Sequence, residues 1–251
     1  MMKYTERKNI LILIALLKGH GIKKIVISPG TTNMMFVASV QQDSWFEIYS
    51  AADERSAAYI ACGLAHESGE PVVLSCTGAT ASRNYFPGLT EGYYRKLPIL
   101  AVTSMLGTDL PGQHIPQVLD RTVVPKDLVK FSAALPEVHT AEDEWKCNLI
   151  VNQAILALTK DGGGPSHINL VASFSYDFSV EELPKTRIIN RVMPGDVLPE
   201  IETGKTVAVF VGAHPNWKKE EVTAVESFCE KYNPLLYFPD PLINEEIHRF
   251  L

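Results

Sequence analysis

A repeat of short apolar segments, each followed by a loop and a helical pattern, is the feature that most constrains the fold of this chain. Near-continuous apolar strands separated by helices are typical of parallel sheets that are covered on both faces. The sequence therefore predicts an α/β fold with a doubly wound parallel sheet and helices on both faces. The predicted strands are residues 22–28, 45–49, 71–76, 97–103 and 166–170.

The segments between these strands carry the helix signals. An apolar helix containing residues 9–17 precedes the first strand; it is too short to span a bilayer, and no small-residue cleavage site follows it. We therefore expect a buried helix there rather than a membrane or signal segment. Further helices are predicted at about residues 34–41, from Glu54 onward, at 80–95 and at 140–159, whereas residues 106–124 form a long loop.

The C-terminal part of the chain has a different composition. Residues 176–204 are rich in Pro, Asp and Glu and are predicted to be a linker after a first domain at 1–175. A strand at 205–212, a helix at 218–232 and a strand at 234–238 follow, which are too little to bury a core of their own. We expect residues 205–251 to be the truncated start of a second α/β domain.

Charge and cysteine usage exclude several classes of function. The net charge of −6 and the absence of a long basic run argue against a nucleic-acid surface. The four cysteines lie far apart, without the paired spacing of a zinc or redox site, so we expect reduced thiols in a cytoplasmic protein with no metal centre. His167 lies in a predicted strand and is expected to be a packed histidine rather than a catalyst.

Residues 52–65 combine an acidic helix start with small residues at helical spacing. Glu54 opens the helix, and the small residues that follow it are Ala57, Ala58, Ala61, Gly63 and Ala65. Acidic first turns complement the helix dipole and alanines favour helices, so this segment alone fits an ordinary capped helix. Small residues also let another helix approach closely, as at a subunit interface, where a glutamate would be buried and protonated.

Four segments in order make residues 5–175 resemble the pyrimidine-binding domain of thiamine-diphosphate enzymes. The first is the Glu54 helix, and the second is the strand and Pro-Gly turn that ends in Pro29 and Gly30. The third is the loop from Gly78 to Asn84, and the fourth is the Gly-Gly-Pro-Ser-His-Ile-Asn string at 163–169.

The resemblance implies a cofactor and a role for each of these residues. Glu54 would be the catalytic residue: its carboxyl group hydrogen-bonds N1′ of the aminopyrimidine ring of thiamine diphosphate and promotes loss of the thiazolium C2 proton. Pro29, Gly30, Gly78 and Asn84 would bind the cofactor. The family holds the diphosphate and Mg²⁺ on a separate domain through a Gly-Asp-Gly loop, which these 251 residues do not contain. The resemblance therefore implies a chain that is inactive alone and works in a homodimer, a tetramer or with a diphosphate-domain partner chain.

Within that superfamily, the Asp-Glu-Arg string around Glu54 and the Asn-Tyr-Phe-Pro string from Asn84 resemble menaquinone-pathway synthases that join 2-oxoglutarate to isochorismate. Those synthases carry Ser-Arg-Ser after the Pro-Gly turn, where this chain has no cation. The resemblance implies a carboligase or decarboxylase acting on a 2-oxo acid and leaves the acceptor open. A small subunit of a split 2-oxo acid decarboxylase and a non-catalytic module that retained the fold are the alternatives. Candidate substrate contacts are Thr31, Thr32, Asn33, Gln113 and His114.

Overall fold

The chain divides into two units, Met1–Arg191 and Val192–Leu251. The structure is a computed structural model, and it describes residues 3–121, 123–172, 175–193, 195–202, 204–212 and 217–237. The division falls inside the segment that the sequence predicts to be a linker. Residues 238–251 lie outside the described ranges, and they include Phe238, the last residue of the strand predicted at 234–238.

A parallel sheet of six strands forms the centre of the first unit, in the order β2-β1-β3-β4-β6-β5. Because β1 lies between β2 and β3, the strand order reverses at the β1–β3 pair, and parallel sheets bind ligands at the carboxyl edge of such a switch point. The strands are β1 (Lys24–Ile27), β2 (Glu47–Ser50), β3 (Val72–Cys76), β4 (Ile99–Met105), β5 (Phe131–Leu135) and β6 (Ser166–Val171).

Helices cover both faces of the sheet, which confirms the predicted fold class. The helices of this unit are α1 (Lys8–Gly19), α2 (Met34–Gln41), α3 (Glu54–Ser68), α4 (Ala79–Asn84), α5 (Phe86–Tyr94) and α6 (Ala141–Ala157). Alternate residues of one strand enter different cores: Val73 joins the cluster built on α1, α2 and α6, whereas Val72 and Leu74 join the cluster built on α3 and α5. This alternation follows from the two-residue period of a strand.

Two details of the first unit differ from the sequence prediction. The helix predicted at 80–95 is two helices, α4 and α5, and Pro87 near the start of α5 cannot donate the backbone bond that one continuous helix requires. The edge strand β5 was not predicted, because its five residues are half-buried except for Leu135 and include two alanines, a weak strand signal.

The second unit contains a parallel pair of short strands, β7 (Ala208–Phe210) and β8 (Leu235–Tyr237), joined through α7 (Lys219–Tyr232). No residue of α7 is buried within the described structure. Across both units, none of the described helices has the combination of length and apolar character that crossing a membrane requires.

Candidate functional site

The loops that follow β1 and β3 contact each other at the switch point of the sheet. A Cβ on Gly30 would lie 2.2 Å from Cγ2 of Thr77, so a side chain at residue 30 would force the Thr77 side chain to move. The amide of Gly78 donates a hydrogen bond of 3.4 Å to Oγ1 of Thr32. A Cβ on Gly78 would lie 2.6 Å from the carbonyl oxygen of Ser104, so glycine is required there.

Asn33 holds the first of these loops in shape. Its Oδ1 accepts a 2.9 Å hydrogen bond from the Gly30 amide, and its Nδ2 donates a 3.1 Å bond to the carbonyl oxygen of Ser28. Asn33 is buried, so its amide serves the loop rather than an open surface. Of the neighbouring candidates, Pro29 and Thr31 are exposed and Thr32 is half-buried.

Glu54 and Asn84, thirty residues apart in the sequence, lie side by side in the structure. Asn84 Nδ2 donates a 3.2 Å hydrogen bond to Glu54 Oε2, while Oε1 of Glu54 bonds to none of the described residues. Asp53 caps α3 by accepting a 2.7 Å bond from the Ser56 amide, which leaves the Glu54 carboxylate in the first turn, where the helix dipole favours a negative charge. Within this single chain Glu54 is half-buried rather than enclosed.

The alanines of α3 let another helix approach closely, but the helix packed against them is α5 of the same chain, whereas the sequence suggested a subunit interface. Ala57, Ala58, Ala61, Cys62 and Ala65 are buried against the sheet and α5. Gly88 of α5 lies so close that an added Cβ would be 2.4 Å from Cβ of Ala58. The opposite face of α3 is exposed and carries Tyr59, Ile60 and Gly63.

The long loop between β4 and β5 contributes Arg121 to this edge of the sheet. Its Nη1 donates a 3.1 Å bond to Thr103 Oγ1, and its Nη2 donates a 2.9 Å bond to the Ser104 carbonyl oxygen. Arg121 is only 5% exposed, and burial lowers the pKa of its guanidinium to about 10. Gln113 and His114, the residues of this loop that the sequence favoured, are both exposed, and the described hydrogen bonds join neither of them to Glu54.

His167 is a packed histidine, as the sequence predicts. Its Nε2 lies 2.8 Å from Thr103 Oγ1 and its Nδ1 lies 3.1 Å from Ser132 Oγ. Burial, together with the nearby Arg121 charge, lowers the pKa of His167 to about 3, so the ring is neutral at ordinary pH. A neutral ring that bonds two hydroxyl groups serves to connect β4, β5 and β6.

Sequence reasoning missed Arg121 and Tyr85 as members of this edge. Arg121 is the only lysine or arginine between Lys96 and Lys126. A lone cation in a loop that contains Gly and Pro is the sequence signal that could have identified it. Tyr85 follows Asn84 in the sequence and is fully buried. This burial raises the pKa of its hydroxyl well above the usual value.

Comparison with known proteins identifies the domain that carries this edge. Residues 11–123 match the family model described as "Thiamine pyrophosphate enzyme, N-terminal TPP binding domain". The chain is 42% identical over 189 residues to a 2-succinyl-5-enolpyruvyl-6-hydroxy-3-cyclohexene-1-carboxylate synthase of Bacteroides thetaiotaomicron, covering 75% of this chain and 34% of the relative. It is 35% identical over 259 aligned positions to the Porphyromonas gingivalis protein of the same name, covering 96% of this chain and 43% of the relative. The chain therefore spans less than half the length of these relatives.

Solved structures with the same fold support the architecture. Benzoylformate decarboxylase from Polynucleobacter necessarius superposes with a TM-score of 0.57 at 20% identity, covering 74% of this chain and 33% of that chain. The thiamine diphosphate-dependent 4-hydroxybenzoylformate decarboxylase of Rhodococcus jostii RHA1 gives 0.54 at 21% identity, covering 65% and 30%. Residues 11–123 of this chain are therefore an N-terminal TPP binding domain of the thiamine pyrophosphate enzyme family.

Proposed function

We propose that this chain is the cofactor-activating N-terminal part of a thiamine-diphosphate-dependent carboligase or decarboxylase that acts on a 2-oxo acid. The observation that carries the proposal is the Glu54–Asn84 pair at the carboxyl edge of the sheet, inside the recognised domain. The curated relatives are named as carboxylate synthases, and the structural neighbours are named as decarboxylases. Both names are consistent with chemistry on small carboxylic acids.

The residues at this edge fit the aminopyrimidine ring of thiamine diphosphate. A ring nitrogen needs a carboxyl partner in one orientation, and the Asn84 bond to Oε2 holds the Glu54 side chain while leaving Oε1 available. When bound, the cofactor would supply a nucleophilic carbon for the 2-oxo group and a cationic thiazolium ring that takes up the electron pair of the broken carbon–carbon bond.

The residues of this chain would bind and orient the ring and move one proton. Glu54 would share that proton between Oε1 and the ring nitrogen. Asn84 would keep the carboxyl group in place, since its hydrogen bond removes one rotational freedom of the side chain. Gly30 and Gly78 bring their two loops into contact at the same edge of the sheet, so this part of the edge is assembled before a ligand arrives.

The second half of the cofactor calls for a second binding element. The resemblance places Mg²⁺ and the diphosphate on a separate domain with a Gly-Asp-Gly loop, which these 251 residues do not contain. We therefore propose that a diphosphate-binding domain outside these 251 residues completes the site. By the same reasoning, this chain alone binds thiamine diphosphate weakly and without dependence on Mg²⁺.

Calorimetric titration of the chain with thiamine diphosphate, with and without Mg²⁺, tests the proposal. Saturable binding that Mg²⁺ does not change is expected. Glu54→Gln should weaken it by roughly 10–100-fold, because a hydrogen bond to a charged group contributes about 1.5–3 kcal/mol. Glu67→Gln is the matched control, since Glu67 is an exposed glutamate on the same helix. A wild-type chain that does not bind the cofactor, or that binds it tightly only with Mg²⁺, would refute the proposal.

A further inference from the structure

A pocket beside the Glu54 edge contains a buried cation, Arg121, that forms no ion pair with any described residue. It is lined by residues of α4, α5, β4 and the β4–β5 loop and by His167, and no aspartate or glutamate is among its lining residues. The polar or charged lining residues are Ser82, Arg83, Tyr85, Thr103, Arg121 and His167. In a chain with a net charge of −6, a pocket with two guanidinium groups and no carboxylate selects for an anion.

Arg121 has binding capacity that the described structure does not use. A guanidinium carries five N–H donors, and the bonds to Thr103 and Ser104 engage two of them. Its Nε is buried and has no hydrogen-bond partner, and no ion pair joins Arg121 to any described carboxylate. A buried charge that is neither paired nor fully hydrogen-bonded is costly, so the arrangement gains stability when an anion enters.

The second cation strengthens this preference. Arg83 lies on the exposed side of the pocket, where its Nη2 donates a 2.9 Å bond to the Asp120 carbonyl oxygen. Its charge also acts on Arg121, whose pKa it helps to lower after the larger effect of burial. Because Arg83 and Val123 line the pocket and are exposed, the pocket reaches the surface beside them.

Size and position restrict what the pocket can hold. Its enclosed space is about 10 Å³, about enough for one water molecule, so a ligand could place only a single small group there and not a ring system. The guanidinium nitrogens of Arg121 lie 3.4 Å from where a Cβ on Gly78 would be, so the cation rests against the glycine loop of the cofactor edge. Glu54 and Arg121 both act electrostatically on the buried Cys76, which places the carboxylate and the cation around the same strand end.

We propose that Arg121, assisted by Arg83, binds the carboxylate of a small 2-oxo acid in this pocket through guanidinium N–H donors that the bonds to Thr103 and Ser104 leave unengaged. Paired N–H donors of a guanidinium match the two oxygens of a carboxylate. The identity of the ligand as a 2-oxo acid rests on the proposed function, whereas the anion site itself rests on the geometry of Arg121. The site supplies a cation at this edge that the Thr31–Asn33 segment lacks.

Heteronuclear NMR of the Arg121 Nε–H group in the whole chain tests the site without any cofactor. Pyruvate should shift this signal in a saturable way, and pyruvamide, which has the same shape without the charge, should leave it in place. Arg121→Gln should weaken pyruvate binding by about tenfold or more, and Arg121→Lys should restore part of it. Arg95→Gln is the control, because Arg95 is exposed and outside the pocket.

Each other outcome overturns the proposal. An Nε–H signal that pyruvate does not move, or that pyruvamide moves equally, excludes a carboxylate site at Arg121. Inorganic phosphate that binds more tightly than pyruvate reassigns the pocket to a phosphate group. The wild-type titration decides these outcomes even if Arg121→Gln fails to fold. Because thiamine diphosphate is absent, a failure here leaves the calorimetric result for the proposed function untouched.

Discussion

Replacing Gly88 by alanine tests the close packing of α5 against α3, the helix that begins at Glu54. The added Cβ would lie 2.4 Å from Cβ of Ala58 and 3.0 Å from its carbonyl carbon, whereas ordinary contacts begin near 3.4 Å. Helices α3 and α5 would therefore have to separate by about 1 Å in a closely packed core. Overpacking of this kind costs about 1–3 kcal/mol, against a gain of about 1 kcal/mol in helix propensity.

Gly63→Ala is the matched control, because Gly63 is exposed on α3 and an added Cβ meets nothing within 4 Å. It gains the same helix propensity without the clash, so the difference in unfolding free energy between the two variants isolates the steric term, about 1–3 kcal/mol. Urea unfolding measures this difference, and it corresponds to roughly 2–12 °C in Tm. Adding Ala58→Gly to Gly88→Ala should recover more stability than additivity allows. Equal stability of the Gly88→Ala and Gly63→Ala variants would refute the close packing.

Two further predictions follow from buried groups outside the site. Burial of Asp43 opposes its ionisation, but hydrogen bonds from Lys18 (2.5 Å) and Tyr4 (2.7 Å) outweigh this and hold the pKa of the carboxyl below its ordinary value. The stabilisation by the ionised Asp43 carboxyl is therefore present above about pH 4 and lost as the pH falls through the lowered pKa. Asp43→Asn should lower the urea midpoint at pH 7 and flatten the fall of that midpoint below pH 4. An unchanged acid profile of the urea midpoint would contradict this. Among the cysteines, only Cys229 is half-buried, so a thiol reagent should label it first in the native chain, and mass mapping that finds another site first would contradict this. Burial raises the pKa of the remaining thiols to about 11 for Cys62 and about 12 for Cys76 and Cys147.

The layered fold could be predicted from the sequence because its main strands are apolar on both faces. Every residue of β3 and β4 is buried, and a continuous apolar run is the signal that a doubly covered strand produces. The half-buried edge strand β5 lacks that signal and was not predicted. The division of residues 80–95 into two helices depends on Pro87, whose effect the helical pattern around it conceals.

The candidate site could be predicted only in part. The Glu54 helix start and the Asn84 loop each leave a local pattern, and the structure brings these two residues together. The burial of Arg121 depends on contacts with Thr103 and Ser104 that no spacing in the sequence encodes. Asn33 shows the same limit, because a polar residue in a loop looks available until its hydrogen bonds to that loop are seen.

The ¹⁵N NMR signal of N1′ in labelled thiamine diphosphate tests most directly whether Glu54 is the proton-sharing partner of the cofactor ring. Binding to the wild-type chain should move this signal towards that of a protonated ring nitrogen, because Glu54 would share a proton with the ring through Oε1, which bonds to none of the described residues. Glu67→Gln should give the same shift, and Glu54→Gln, measured at saturating protein, should give none. A shift that persists in Glu54→Gln would contradict the role assigned to Glu54.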